Sequence, residues 1–172
     1  IQNGEVTNWN TGYGGGGIHI TNSNPRISYL NIVQNEALQG GGIYVNNSHP
    51  YLYSLNIHHN YANEGSGIHF VGNTTNALVN NCLIVSNSGN VSEGIKVYSS
   101  TSIPTLINVT ISNHDSGIDL YAGTANVLNS IIWGNGQSVT MTQNYFEELN
   151  EANYSLIEGG YAGTGNINSD PL

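Results

Sequence analysis

Basic residues are nearly absent from this sequence: Lys and Arg together number 2 in 172 residues, against 11 Asp and Glu. The resulting net charge of -9 repels phosphate backbones and anionic membrane surfaces at long range, so nucleic acid is not an expected partner. The only cysteine, Cys82, has no second cysteine for an internal disulfide and is predicted to be a small core residue. No apolar run approaches the roughly 20 residues that a membrane helix needs, so membrane insertion is not expected.

Helix-forming residues such as Ala, Leu, Glu and Lys are also sparse, and charged residues make up only 8% of the chain. The sequence is instead rich in Gly, with 22 copies, and in Ile, Val, Tyr and Thr, which favour strands. This composition predicts an all-β protein.

A Gly-Ile step recurs along the chain, with its isoleucines 25, 25, 27 and 23 residues apart. The steps are Gly17-Ile18, Gly42-Ile43, Gly67-Ile68, Gly94-Ile95 and Gly117-Ile118. A period of this size is typical of solenoids, in which each repeat buries its apolar row only by stacking on its neighbours. We therefore predict a single β-solenoid domain over 1–172 with about six coils of 22–27 residues.

A second apolar pattern precedes the residue that ends each coil, at positions minus eight, minus five and minus three. Ile27, Leu30 and Ile32 precede Asn35 in this way, and the pattern repeats in the following coils. The step of two is that of a pleated strand, and the step of three indicates a bend or bulge. Stacked coils should therefore superpose Ile32, Ile57, Ile84, Ile111 and Ile132.

Two further sets of equivalent residues are predicted to have structural roles. An asparagine at the corner of a coil tolerates left-handed backbone and bonds to the copies above and below it, which predicts a ladder of Asn35, Asn60, Asn87, His114 and Asn135. The glycines before the isoleucines are expected at a turn that needs either positive φ or close backbone approach; they are Gly42, Gly67, Gly94 and Gly117.

The regular pattern lapses over 136–152, where we expect a loop or short helix inserted between coils. The first residues already lie inside a repeat, so the chain is interpreted as a fragment of a longer protein. The ends of a solenoid carry unpaired strand edges, which makes continuation of the chain or end-to-end self-association an expected remedy.

The Gly-Gly-Gly-Ile step at 40–43, the strand-ending asparagines and the tail from 129–136 to 154–172 resemble right-handed parallel β-helix proteins of the pectin-lyase-like superfamily. They are similar in particular to repeat regions of large secreted bacterial surface proteins and of polymorphic outer-membrane proteins. This resemblance implies an extracellular or cell-surface location in a bacterium. The superfamily includes polysaccharide lyases, hydrolases, adhesins and passive stalks, so the resemblance does not choose a function.

The residue after each isoleucine should face away from the core. This predicted outward row comprises His19, Tyr44, His69, Lys96 and Asp119. In the enzymes that the fold resembles, the substrate groove lies over the same face. His69, Lys96 and Asp119 are therefore the catalytic candidates of a lyase, although the chain lacks the several basic residues and the acidic calcium cluster of such enzymes.

Two other groups of acidic residues are candidates for catalysis or for metal binding. Glu93, Asp115 and Asp119 are candidate carboxylates for an inverting hydrolase, which needs an acid and a base on facing positions. Glu147, Glu148 and Glu151 are weak candidates for calcium. No metal site or cofactor is otherwise expected.

Tyrosines are predicted to decorate the outer surface, where they suit sugar stacking or protein contact. The expected binding residues for a glycan or a cell-surface ligand are Tyr44, His69, Lys96, Tyr98, Asp119 and Tyr121. The favoured hypothesis is a non-enzymatic extracellular module that acts as a stalk, an adhesin or a self-assembling subunit. The alternative is a carbohydrate-active enzyme, a polysaccharide lyase or glycoside hydrolase, with its groove over the outward row.

Overall fold

The computed structural model describes residues 1–6, 14–72, 77–141 and 148–171. These residues form short strands joined by tight bends. The strands are β1 (Glu5–Val6), β2 (Ile18–Thr21), β3 (Arg26–Ser28), β4 (Asn31–Val33), β5 (Glu36–Gln39), β6 (Ile43–Asn46), β7 (Tyr51–Tyr53), β8 (Asn56–His58), β9 (Tyr61–Glu64), β10 (Ile68–Val71), β11 (Leu78–Asn80), β12 (Leu83–Val85), β13 (Glu93–Val97), β14 (Thr105–Ile107), β15 (Thr110–Ser112), β16 (Ser116–Leu120), β17 (Asn126–Leu128), β18 (Ile131–Ile132), β19 (Gln137–Met141), β20 (Glu151–Asn153) and β21 (Leu156–Ile157).

The strands form three six-stranded parallel sheets, to which each turn of the chain contributes one strand apiece. The first sheet has the order β2-β6-β10-β13-β16-β19, the second β3-β7-β11-β14-β17-β20 and the third β4-β8-β12-β15-β18-β21. A fourth sheet of three strands, β1-β5-β9, lies at the N-terminal end. The predicted all-β solenoid is confirmed, with about five turns where about six coils were expected.

The two predicted isoleucine columns are present in register. Ile43 pairs with Ile18 and Ile68, and Ile95 pairs with Ile68 and Ile118. The second column runs from Ile32 in β4 to Ile132 in β18 and is extended by Ile157. Ile18 at the N-terminal end is partly buried and the other side chains of both columns are almost completely buried, so they form one continuous core along the solenoid axis.

The bend between the second and third sheets accounts for the step of three residues in the apolar pattern. At this corner each coil has a residue in the left-handed region, such as Ser54 with φ 56° and Asn81 with φ 53°. A left-handed residue turns the chain sharply and separates two short strands. The predicted bend is therefore made by a single left-handed residue, which lies between β7 and β8 in one coil and between the corresponding strands of the second and third sheets in other coils.

The predicted asparagine ladder is present, as its hydrogen bonds show. The prediction that the asparagines themselves have left-handed backbone is wrong. The main-chain N–H and Nδ2 of Asn35 donate to Oδ1 of Asn60 at 3.1 and 2.9 Å, and Asn60 donates in the same way to Asn87. Left-handed backbone occurs one residue earlier, at Gln34 and His59. The preceding residue makes the turn, which leaves the asparagine side chain free to point into the coil.

The glycines before the isoleucines are required by close approach and not by positive φ. A Cβ atom on Gly67 would lie 2.3 Å from the carbonyl oxygen of Gly94 in the next coil, and neither residue has positive φ. A Cβ atom on Gly94 would lie 2.6 Å from Cγ2 of Ile111. These positions thus face the crowded interior, where any side chain would displace the stacked backbone.

Part of the range 136–152, for which a loop or short helix was predicted, is strand. Gln137–Met141 forms β19 and pairs with β16, and Glu151–Asn153 forms β20 and pairs with β17. The pattern was obscured because Ser138-Val139 stands in this coil where the earlier coils have the Gly-Ile step. Residues 142–147 lie outside the described part of the chain.

Terminal segments cover part of each end of the solenoid. Near the N-terminus, the N–H groups of Val33 and Glu36 donate to the carbonyls of Ile1 and Gly4. At the other end, Ile157 and Ile167 form backbone hydrogen bonds that lay the tail along β21. No helix within the described residues has the length and apolar character to cross a membrane.

Candidate functional site

The predicted outward row lies on the first sheet, where His69, Lys96, Asp119 and Thr140 occupy one register on β10, β13, β16 and β19. Their side chains alternate with the buried isoleucines and therefore leave the opposite face of the sheet. The row nevertheless has little contact with solvent. His69 is 0% exposed, Lys96 5% and Asp119 3%, whereas His19 at the N-terminal end is exposed.

The burial of this row corrects the prediction that its residues decorate the surface. The turn before β10 folds back over His69: a Cβ atom on Gly65 would lie 2.6 Å from Cβ of His69. Tyr44, only 8% exposed, packs edge-on against the His69 ring with the centroids 5.8 Å apart. Periodicity indicates which way a side chain faces but not which turn covers it.

An ion-paired cluster of Lys96, Glu93 and Asp119 forms the centre of the site. Nζ of Lys96 lies 2.9 Å from Oε1 of Glu93 and 2.9 Å from Oδ2 of Asp119. In a regular strand Glu93 and Lys96, three residues apart, would face opposite sides. Gly94 and Ile95 both face the interior, so the strand bends between them and brings both charges to the same face.

Glu93 also fixes the turn of the preceding coil. Its Oε2 accepts a hydrogen bond of 2.8 Å from the N–H of Gly65, the residue whose turn covers His69. One carboxylate therefore links the ammonium of Lys96 to the covering turn.

One ammonium is shared by two buried carboxylates, which leaves a net negative charge in the cluster. Burial would lower the pKa of Lys96, but the charge of Glu93 and the hydrogen bonds to Glu93 and Asp119 outweigh it, and the pKa is raised. Burial raises the pKa of Glu93, and the opposing effect of Lys96 does not cancel it. Lys96 is thus held in its charged form, while Glu93 takes up a proton more readily than an exposed glutamate does.

His69 is an uncharged member of the row. Among the described residues neither of its ring nitrogens has a hydrogen-bond partner. Burial, followed by the nearby charge of Lys96, lowers its pKa to about 3. The imidazole is therefore neutral over the physiological range and packs as a ring between Tyr44 and Tyr98.

An open cleft of about 310 Å³ lies beside the ion-paired cluster, on the C-terminal half of the first sheet. It is lined by Val91, Glu93, Lys96, Asp115, Ser116, Asp119, Gln137 and Thr140. Asp115 has a fixed place in its wall, because its carboxylate accepts a 3.0 Å hydrogen bond from the N–H of Ser92. This bond and another to the Ser92 side chain lower the pKa of Asp115.

Two tyrosines stand on the same face of the sheet, two residues beyond the charged row. The rings of Tyr98 and Tyr121 stack with centroids 4.6 Å apart and planes 7° apart. Nζ of Lys96 lies 5.4 Å from the centroid of Tyr121, within range of a cation–π interaction. Tyr98 is 41% exposed, so this pair presents an aromatic surface to solvent next to the cluster.

The structure brings together Lys96, Asp119, Tyr98 and Tyr121 of the predicted binding set, with Glu93 and Asp115 of the carboxylate set. Tyr44 and His69 are buried elsewhere in the same row and do not line the cleft. Sequence reasoning missed Ser116, Gln137 and Thr140. The signal for Thr140 was its register with Asp119, which was hidden by the assignment of 136–152 to an insertion.

The weak calcium candidates do not form a site within the described part of the chain. Glu148 and Glu151 are exposed, and Glu147 lies outside the described residues. No group of three or more His, Cys, Asp or Glu side chains in the described ranges is arranged to hold a metal ion.

Residues 1–132 match the family described as "Right handed beta helix region". The chain belongs to this right-handed β-helix family. Comparisons with curated proteins and with solved structures gave no significant match. Membership of this family agrees with the stacked parallel sheets and makes the solenoid right-handed.

In this β-helix the cleft combines acidic, hydroxyl and amide groups with an adjacent aromatic surface. Hydroxyl and amide groups exchange hydrogen bonds with a polyhydroxylated ligand, and tyrosine rings pack against the C–H faces of sugars. Both oxygens of Asp119 have partners, since Oδ1 accepts from Thr140 Oγ1 at 3.3 Å. The groups at the floor are thus fixed by each other, whereas Gln137 is an exposed residue of the lining. Tyr98 is exposed outside the lining, where it stacks on Tyr121.

Proposed function

We propose that this chain is a non-enzymatic β-solenoid module that contacts a glycan through the cleft beside Lys96. The observation that carries the proposal is the double ion pair of Lys96, with both carboxylates at 2.9 Å. A lysine acts as a general base only when it is deprotonated near the working pH. Lys96 has a raised pKa and two carboxylate partners, which suits a structural cation and not a base.

The surroundings of the cleft support contact with a glycan. The exposed Tyr98 stacks on Tyr121, whose ring lies 5.4 Å from Nζ of Lys96. Ser116, Gln137 and Thr140 supply neutral hydrogen-bonding groups within the cleft. The carboxylates on its walls disfavour an anionic ligand. A neutral saccharide is therefore the proposed ligand of this site.

The setting of the module is proposed from the resemblance of its Gly-Ile repeats and strand-ending asparagines to those of bacterial surface and secreted proteins. We place it outside the cell, as part of a stalk or adhesin. Self-association through the ends is part of the same proposal, because β2 and β3 each have a strand neighbour on one side only among the described residues. Sedimentation of the purified chain over a hundredfold concentration range tests this; a monomer throughout argues against it.

Binding and release of neutral oligosaccharides test the proposed role of the cleft. A glycan array followed by titration should show binding without any release of new reducing ends on prolonged incubation. Tyr98→Ala and Gln137→Ala should each weaken binding about tenfold or more, while Tyr154→Ala, an exposed tyrosine on the opposite side of the last coils, should not. Release of saccharides that is lost in Lys96→Ala and Asp119→Ala would contradict the non-enzymatic reading.

A second function, glycoside hydrolysis, is favoured by one observation. Glu93 and Asp115 line the same cleft, and the pKa of Glu93 is raised while that of Asp115 is lowered. A carboxyl group of raised pKa and a second of lowered pKa in one cleft are the combination that inverting hydrolases use. If the chain hydrolyses a glycan, Glu93→Gln and Asp115→Asn should each abolish the release of reducing ends without loss of the folded state.

A further inference from the structure

A second concave site lies on a different sheet from the cleft, over the outer face of the second sheet near its N-terminal end. It has a volume of about 320 Å³ and is lined by Arg26, His49, Pro50, Tyr51 and Leu78. Arg26, Tyr51 and Leu78 occupy one register on β3, β7 and β11, so successive coils place them side by side. The site is thus built by the repeat itself.

Arg26 is positioned in this site by an aromatic ring. Its guanidinium carbon lies 4.4 Å from the centroid of the Tyr51 ring. Tyr51 in turn stacks on Tyr53 at 5.9 Å, and Tyr53 meets Tyr29 edge-on at 5.5 Å. A guanidinium lying on an aromatic face keeps its N–H groups directed outward at its edge, where a carboxylate can accept two of them.

The charge of Arg26 is available to a ligand. The chain has only two basic residues, and the other, Lys96, is held by two carboxylates. Both ion pairs of the described residues belong to Lys96, and the Arg26 side chain is exposed. In a chain of net charge -9 this is the place on the described surface where one negative charge is attracted at short range.

The remaining lining suits a small molecule with one anionic group and an apolar face. Pro50 and Leu78 provide an apolar wall beside the guanidinium, and the volume suits a single sugar ring. The strong net negative charge disfavours ligands that carry many charges. We propose that this site binds a carboxylate-bearing sugar, with the carboxylate on Arg26 and the ring against Tyr51 and Leu78.

Titration with glucuronate, followed by amide chemical shifts of the whole chain, tests the proposal. Glucose is the matched neutral sugar, and acetate is the matched carboxylate without a ring. Glucuronate should bind at least tenfold more tightly than either, with the largest shifts at Arg26, Tyr51 and Leu78. Arg26→Gln should weaken glucuronate binding tenfold or more, and Arg26→Lys should weaken it less, because lysine keeps the charge but loses the planar fork.

Asn126→Ser provides a control in the same row, three coils away from Tyr51, and should leave glucuronate affinity unchanged. Thermal unfolding of each variant checks that the solenoid is intact. The proposal is overturned if glucuronate binds no better than glucose or acetate, or if Arg26→Gln binds it as well as the unaltered chain. Because the cleft beside Lys96 lies on another sheet, failure of either site leaves the other unaffected.

Discussion

The Nζ atom of Lys96 lies 2.9 Å from a carboxylate oxygen of Asp119, one coil further along the solenoid. The same nitrogen lies 2.9 Å from Glu93 on its own strand, and all three side chains are buried. An ion pair in this environment links adjacent coils only while each charge has its partner. The cluster is therefore a point at which single substitutions should have large effects.

Lys96→Met should lower the free energy of unfolding by about 3–5 kcal/mol, because it leaves two buried carboxylates without a cation. The triple variant Lys96→Met, Glu93→Gln, Asp119→Asn should recover more than half of this loss, since no charge remains buried. Urea unfolding at pH 7 measures both. Equal losses in the single and triple variants would show that packing, and not charge, explains the effect.

The asparagine ladder leads to a second prediction. In Asn60→Ala the main-chain and side-chain N–H groups of Asn35 lose their acceptor, and the carbonyl of Ile32 loses its donor. Unsatisfied buried groups of this kind destabilise by about 1–3 kcal/mol each, so a loss of roughly 3 kcal/mol is expected. Asn150→Ala, which removes an exposed asparagine, should change the stability by less than about 0.5 kcal/mol.

Two glycine substitutions distinguish the effect of close backbone approach on stability from the effect of left-handed backbone. Gly67→Ala places Cβ 2.3 Å from a carbonyl oxygen of the next coil and should destabilise by about 3 kcal/mol or more. Gly134 has φ 67° with open space around it, so Gly134→Ala should cost only about 1 kcal/mol from the left-handed backbone. Comparable losses in the two variants would contradict the role assigned to Gly67.

The contrast between these residues shows how much the sequence alone predicts. The columns of Ile43 and Ile57 follow from the period, because parallel stacking in register repeats whatever one coil does. The burial of His69 does not follow, since it depends on a turn at Gly65 that folds over the row. The pairing of Glu93 with Lys96 was missed because an unbent strand would place residues three apart on opposite faces.

His114 gives the last prediction, because it stands in the ladder where other coils have asparagine. Its Nε2 accepts from the N–H of Asn87 at 3.3 Å and its Nδ1 lies 3.3 Å from Oδ1 of Asn135, so the neutral ring is the bonded form. Burial lowers its pKa to about 4. The unfolded chain therefore binds a proton on this residue more readily than the folded one, and stability falls as the pH drops below about 6.5.

His114→Asn restores the repeat residue and removes this titration. Relative to the unaltered chain, the variant should gain about 2 kcal/mol in unfolding free energy between pH 7.5 and pH 5, as expected for a shift from 6.5 to about 4. Urea unfolding of both proteins at both pH values measures the difference. The contribution of the carboxylates cancels, because both proteins contain the same ones. His19→Asn, at an exposed position, should show no such gain. An equal pH dependence in the two variants would mean that His114 does not contribute to acid sensitivity.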